Sequence, residues 1–150
     1  MILGLGHDVV DVPAFAGQLA EPGSAMRNLF SSRELRQAAL RGQTKHDGEA
    51  VHLAAKWAGK EAAVKAWCEA LSAAGMPAPY TLDDLPWPGI EILDDSRGVP
   101  HVTLHADVDR VLRESLRDSM GETAAPVWHI SLSHDGPIAS AVAVLERRDV

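Results

Sequence analysis

Asp8 stands in the middle of the aliphatic run Met1-Ile-Leu-Gly-Leu-Gly-His-Asp-Val-Val-Asp-Val12, where an acid left unpaired costs several kcal/mol. It is either a hydrogen-bonded turn or cap acid, or a group that the protein uses. Glu61 and Lys65 stand four apart in Val51-His-Leu-Ala-Ala-Lys-Trp-Ala-Gly-Lys-Glu-Ala-Ala-Val-Lys-Ala-Trp67, so on a helix a carboxylate and an ammonium project together. On a solvated face that is an ordinary ion pair; on a covered one, its burial is costly unless something needs it. Near the end, Trp128-His-Ile-Ser-Leu-Ser-His134 puts Trp128, Ile130 and Leu132 on one face of a strand. His129, Ser131 and Ser133 fall on the other face, and His134 and Asp135 in the turn that follows. For His129 a satisfied core histidine is the competing explanation.

The elements that must position these groups follow from periodicity. On a helix of about 100° per residue, Val51, Ala55, Ala58, Ala62 and Ala66 form one small-residue stripe. Leu53, Trp57, Val64 and Trp67 form another, so the central helix is expected to be covered on two sides. Asp8 lies on a buried strand spanning residues 1–12, whose Gly4 and Gly6 permit close backbone approach. Asp11, with Pro13 behind it, caps a helix to about Leu19. Glu21-Pro-Gly-Ser is a break, Met26 to Phe30 a helical turn, and Ser31-Ser-Arg-Glu34 a capping box for a helix to about Leu40. Arg41 to Gly48 reads as a polar loop, with Asp47 as the N-cap of the central helix. Thr81 to Asp84 caps a single turn. Ile90–Asp94 and Val99–Leu104 read as a hairpin, Asp107–Met120 as a helix, and 127–133 and 138–145 as two strands. The fold class expected is α+β, with a long central helix against a mainly antiparallel sheet.

With 150 residues the chain fits one domain over 1–150. A net charge of −7 argues against general nucleic-acid binding, although Arg27, Arg33, Arg36 and Arg41 concentrate positive charge locally. A solvated face is the commoner meaning of such a cluster. The single Cys68 excludes an internal disulfide framework and a cysteine-rich zinc site, and reads as a small buried hydrophobe. No apolar run is long enough to cross a membrane, and a cytoplasmic location is expected.

Gly4-Leu-Gly-His-Asp8, Lys56-Trp-Ala-Gly-Lys-Glu-Ala-Ala-Val-Lys65 and Trp128-His-Ile-Ser-Leu-Ser-His134, in that order, resemble the phosphopantetheinyl transferases, specifically the short holo-[acyl-carrier-protein] synthase type in an actinobacterial-looking form. The resemblance covers nearly the whole chain. It implies transfer of 4′-phosphopantetheine from coenzyme A to a serine of apo acyl carrier protein, releasing adenosine 3′,5′-bisphosphate, in support of fatty acid biosynthesis. It implies Mg²⁺ held by Asp8 and Glu61 against the pyrophosphate, which agrees with the preference of that ion for carboxylate and phosphate oxygens. It implies that Lys65 contacts the phosphates and assists the leaving group, and that Lys56, Lys60, His129 and Ser131 bind coenzyme A. His134 and Asp135 would line the pantetheine path or act in proton transfer. The acceptor of the serine proton stays open between a metal-bound water and Glu61.

Two departures stand out. Lys56-Trp-Ala-Gly-Lys-Glu61 replaces the usual Arg-Phe-Ala-Ala-Lys-Glu, keeping the cation and losing the bidentate fork. Ala14 replaces a basic residue of the usual carrier-binding surface, for which Arg27, Arg33 and Arg36 are expected to compensate toward an acidic carrier. The family further implies a homotrimer with active sites between neighbours. The rival functions are a Mg²⁺-dependent nucleotide or pyrophosphate hydrolase, which would use the same acids without any Walker A string, and a non-catalytic carrier-binding scaffold.

Overall fold

The computed structural model describes residues 1–121 and 123–149. The N-terminal run forms β1, Ile2–Asp11, which buries Gly4, Gly6 and Asp8 and exposes Leu5, His7 and Val9. The Asp11 carboxylate accepts the Ala14 N–H at 2.8 Å and so starts α1, Val12–Ala20. A 3-10 turn at Met26–Leu29 leads to α2, Ser32–Lys45. The expected capping box opens it: Ser31 Oγ accepts from Glu34 N at 3.2 Å, and Glu34 Oε1 from Ser31 N at 2.9 Å. Then come α3, Glu49–Ala73, and a hairpin of β2, Ile90–Asp94, and β3, Pro100–Leu104. The chain closes with α4, Ala106–Ser115, α5, Arg117–Met120, β4, Ala124–Asp135, and β5, Ile138–Asp149.

Among the described residues the strands form an antiparallel sheet in the order β1-β5-β4 and a separate antiparallel pair, β2-β3, an α+β arrangement. The helix α3 is wedged between them. Ala62, Ala66, Ala141 and Ala143 are buried where it meets β1 and β5. On another side a Cβ at Gly59 would stand 3.0 Å from Ile92 and 3.2 Å from Ile130, so strands from both sheets press on this turn. Both predicted stripes are thereby covered, and the cover extends to polar positions. Lys60, fully buried, pairs with Glu34 at 2.7 Å and donates to the carbonyls of Trp87 and Ile90. Glu34 Oε2 also accepts the Ile92 N–H at 3.0 Å. One ion pair therefore locks α2, α3 and β2 together.

Five expectations are corrected. The strand β4 runs on through His134 and Asp135, which were expected in the turn, and the turn narrows to Gly136-Pro137. The helix α2 does not stop at Leu40 but runs to Lys45, because Gly42 packs on the backbone at Gly48, where a Cβ would stand 2.5 Å from its carbonyl carbon. Its end is set by His46 in the left-handed region, φ 57°. The N-cap of α3 is Gly48, since the Asp47 carboxylate is taken by His52. The predicted helix 107–120 is broken at Leu116 into α4 and α5. Cys68 is exposed, not buried.

Candidate active site

Asp8 reaches α3 because β1 lies directly on the helix backbone. A Cβ on Gly4 would stand 2.0 Å from the Ala66 carbonyl oxygen, and one on Gly6 1.9 Å from that of Ala62. No side chain tolerates such distances, so glycine at both positions permits the approach. Two strand residues and one helical turn advance by similar lengths, roughly 6–7 Å against about 5.4 Å. Gly4 over Ala66 and Gly6 over Ala62 therefore place the next inward residue, Asp8, over the turn that carries Glu61.

The Glu61 carboxyl neighbours that of Asp8. Burial, then the hydrogen bond to Asp8 and its charge, push the Glu61 carboxyl up to about 7, with Lys65 opposing them. Lys65 does not form the i,i+4 pair with Glu61 that spacing alone predicts. Its ammonium donates to Asp8 Oδ1 at 2.8 Å and to the His7 carbonyl at 3.0 Å, because β1 offers two acceptors side by side. Asp8 Oδ2 is buried and accepts no hydrogen bond from the described residues. Two like charges held together, one with an orphaned oxygen, form a pair that a cation would stabilise. The donor set is two hard oxygens, with no cluster of three His, Cys, Asp or Glu among the described residues. That suits an ion which completes its shell with water and phosphate, as Mg²⁺ does.

A second charged site lies on the opposite side of α3. His52 precedes Glu61 by nine residues, as Lys56 precedes Lys65, which is two and a half turns. A cleft of about 150 Å³ opens there between α2, the start of α3, the hairpin turn and the end of β4. Arg41, Lys45, Lys56, His52 and His134 all line it. Lys56 is 3% exposed; it donates to the Ile92 carbonyl at 2.7 Å and to Gln37 Oε1 at 3.1 Å, with Asp94 at 3.8 Å. Burial lowers its pKa, and the carboxylates of Asp94 and Glu34 oppose the shift. His52 Nε2 meets Asp47 Oδ1 at 2.7 Å, and the His134 ring stands edge-on to His52 at 5.7 Å between centroids. Arg41 crosses to the hairpin turn, where a Cβ on Gly98 would be 2.8 Å from its Nη2. Arg41, Lys45 and Lys56 thus line one open volume, with Asp94 on the same wall, and a local excess of positive charge of this kind favours an anion.

A sequence profile of the 4′-phosphopantetheinyl transferase superfamily matches residues 4–133. The chain belongs to that superfamily. Its relatives include the holo-[acyl-carrier-protein] synthase of Bifidobacterium animalis subsp. lactis, 62% identical over 99% of this chain and 100% of the relative. That of Corynebacterium efficiens is 38% identical over 96% of this chain and 94% of the relative. Among solved structures, an ACPS-CoA complex of Chronobacterium ammoniagenes superposes with TM-score 0.79 at 34% identity, covering 97% of each chain. The acyl carrier protein synthase of Mycobacterium tuberculosis does so with TM-score 0.66 at 32% identity, covering 99% of this chain and 100% of the other.

For a phosphopantetheinyl transferase, the sequence-derived residues divide into three groups. Asp8, Glu61 and Lys65 come together. Lys56 and His134 line the cationic cleft, on the far side of α3. The remaining residues expected to bind coenzyme A do not converge within the chain. Lys60 has its three donors spent on Glu34, Trp87 and Ile90 and is closed to solvent, so the expected phosphate contact is corrected to an internal ion pair. His129 and Ser131 sit on the outward face of the β1-β5-β4 sheet, with His129 bonded to Glu146 at 2.7 Å. Of the basic patch, Arg27 pairs with Glu49 at 2.8 Å and Arg33 with the buried Glu91, while Arg36 is exposed with no salt bridge to a described residue. Gln37, Arg41 and Lys45 were missed as cleft residues. Their i, i+4, i+8 spacing marks one helix face, a signal that is lost once α2 is ended at Leu40.

Proposed function

We propose that this chain is a holo-[acyl-carrier-protein] synthase over its whole length. It moves 4′-phosphopantetheine from coenzyme A to a serine of apo acyl carrier protein in the cytoplasm, serving fatty acid biosynthesis. The observation that carries this is the Asp8–Glu61 carboxylate pair with Lys65 against it, in a chain whose relatives bear that name. Asp8 and Glu61 would hold Mg²⁺, which when bound supplies charge neutralisation to the diphosphate. The serine Oγ gives up its proton, to water or to Glu61, and bonds to the β-phosphorus as the bond from that phosphorus to the oxygen of the departing adenosine 3′,5′-bisphosphate breaks. Lys65, half exposed and anchored on Asp8, is placed to offset charge on the departing phosphate. The cleft of Arg41, Lys45 and Lys56 is assigned to the phosphate at the nucleotide end of coenzyme A, with His134 at its rim.

The enzyme acts as a homotrimer with sites between neighbours. Two features support this. The cleft and the carboxylate pair face opposite sides of α3, so one coenzyme A reaches both most directly across a subunit boundary. The outward sheet face also exposes Leu5, Val9 and Val142, together with His129 and Ser131, whose role toward coenzyme A is then met in a neighbour's site.

Incubation with apo acyl carrier protein, coenzyme A and Mg²⁺, followed by mass spectrometry of the carrier, tests the transfer. A carrier that gains phosphopantetheine supports it. Hydrolysis products without a modified carrier would mean a hydrolase, and neither product a scaffold.

A further inference from the structure

Gln37 is the most tightly specified polar side chain in the cationic cleft, yet it carries no charge and touches none of the reacting groups. Its Nε2 donates to the Asp94 carbonyl at 2.9 Å, and its Oε1 accepts the Asp94 N–H at 2.9 Å. The amide thus pairs with the end of β2 as a neighbouring strand residue would, and both of its orientations about the last torsion are decided. The same Oε1 accepts from Lys56 Nζ at 3.1 Å. Lys56 gives a second hydrogen to the Ile92 carbonyl at 2.7 Å. An ammonium has three donors, so two fixed bonds leave one, and Lys56 lines the open cleft with Arg41 and Lys45.

We propose that Gln37 is a positioning residue: it holds the Lys56 ammonium so that its third hydrogen is aimed at the anion that the cleft takes, the 3′-phosphate of coenzyme A. A lysine here has no planar fork of its own to fix its direction. The Gln37 amide and the Ile92 carbonyl supply that direction from outside. The Asp94 carboxylate stands 3.8 Å from the same ammonium, and without the Gln37 oxygen the buried ammonium would be free to turn onto it and away from the cleft.

The inference rests on the assignment of the cleft to the 3′-phosphate, and one experiment separates the two. KM and kcat are measured for coenzyme A and for 3′-dephospho-coenzyme A, with apo carrier and Mg²⁺, in the unaltered protein, Gln37→Ala, Lys56→Ala and the double variant. The unaltered protein should prefer coenzyme A through KM. Gln37→Ala should raise KM for coenzyme A by roughly tenfold, the scale of one charge-assisted hydrogen bond, with kcat within about twofold and KM for the dephospho form unmoved. In the Lys56→Ala background the Gln37 substitution should then add nothing to discrimination. Gln37→Met, which fills the volume without the amide, replaces the alanine variant should that one fail to stay folded. A purely structural amide would weaken both substrates equally and lower the melting temperature, which overturns the proposal. Full discrimination retained in the Gln37 variants, or effects additive with Lys56→Ala, overturns it too. An unaltered protein indifferent to the 3′-phosphate overturns the assignment of the cleft itself.

Discussion

At pH 8 the metal-free protein must hold the ionised Glu61 carboxylate, half-buried, beside Asp8. Its folded pKa, about 7, lies above its ordinary 4.5. The folded state therefore holds the proton more tightly, and the stability tied to Glu61 is complete below 4.5 and lost as pH rises through about 7. Glu61→Gln should accordingly raise the melting temperature of the metal-free protein at pH 8 and leave it little changed at pH 4.5; a lower melting temperature at both would exclude mutual repulsion. A proton must leave for a cation to bind, so calorimetric Mg²⁺ affinity should fall roughly tenfold per pH unit below that value. Turnover by Glu61→Gln or Asp8→Asn should drop at least ~100-fold, measured as modified carrier. Lys65→Ala should lower kcat more than coenzyme A binding. The types and order of these three residues were legible in the chain. Their partnership was not: four-residue spacing pairs Lys65 with Glu61, whereas a strand 57 residues away supplies its actual acceptor.

Between elements, the contact of β1 with α3 sets where Asp8 sits, and the glycines set that contact. Gly6→Ala would drive a methyl into the Ala62 carbonyl. It should cost about 1–3 kcal/mol in a denaturant titration and displace Asp8. The α2–α3–β2 junction depends on the Lys60–Glu34 pair. Lys60→Met takes the cationic partner from the buried Glu34, and should cost about 3–5 kcal/mol. A periodic pattern reveals a helix but not what stands beside it, so Lys60 read as a ligand from its place in the motif. Its burial comes from Glu34, 26 residues earlier, and from two carbonyls in the segment that precedes and opens β2. The end of α2 was misjudged for a related reason. Its last turn is polar in sequence, and only the packing of Gly42 on the Gly48 backbone holds it helical.

For the whole molecule, the carboxylate pair and the cationic cleft lie on opposite sides of α3, and in the proposed trimer that separation would make assembly part of function. Light scattering at micromolar concentration should give three times the chain mass of 16.1 kDa. Val142→Asp, which puts a charge on the outward sheet face, should yield monomers that bind Mg²⁺ but do not modify a carrier. An active monomer would reject the shared site. The α+β class, the capped starts of α1 and α2, the covered central helix, and the acids, lysine and glycines of the candidate active centre are all legible in the chain. Each of these is written in spacing, patterning or residue type over a few turns of chain. Which lysine is spent inside and which faces the cleft, which acid Lys65 meets, and that Gln37, Arg41 and Lys45 share a wall with His134 emerge in the folded chain alone. Those outcomes depend on which polar groups find partners as distant segments close on one another, and hydrogen bonding of buried groups is settled by proximity in space, to which neighbours along the chain give no guide.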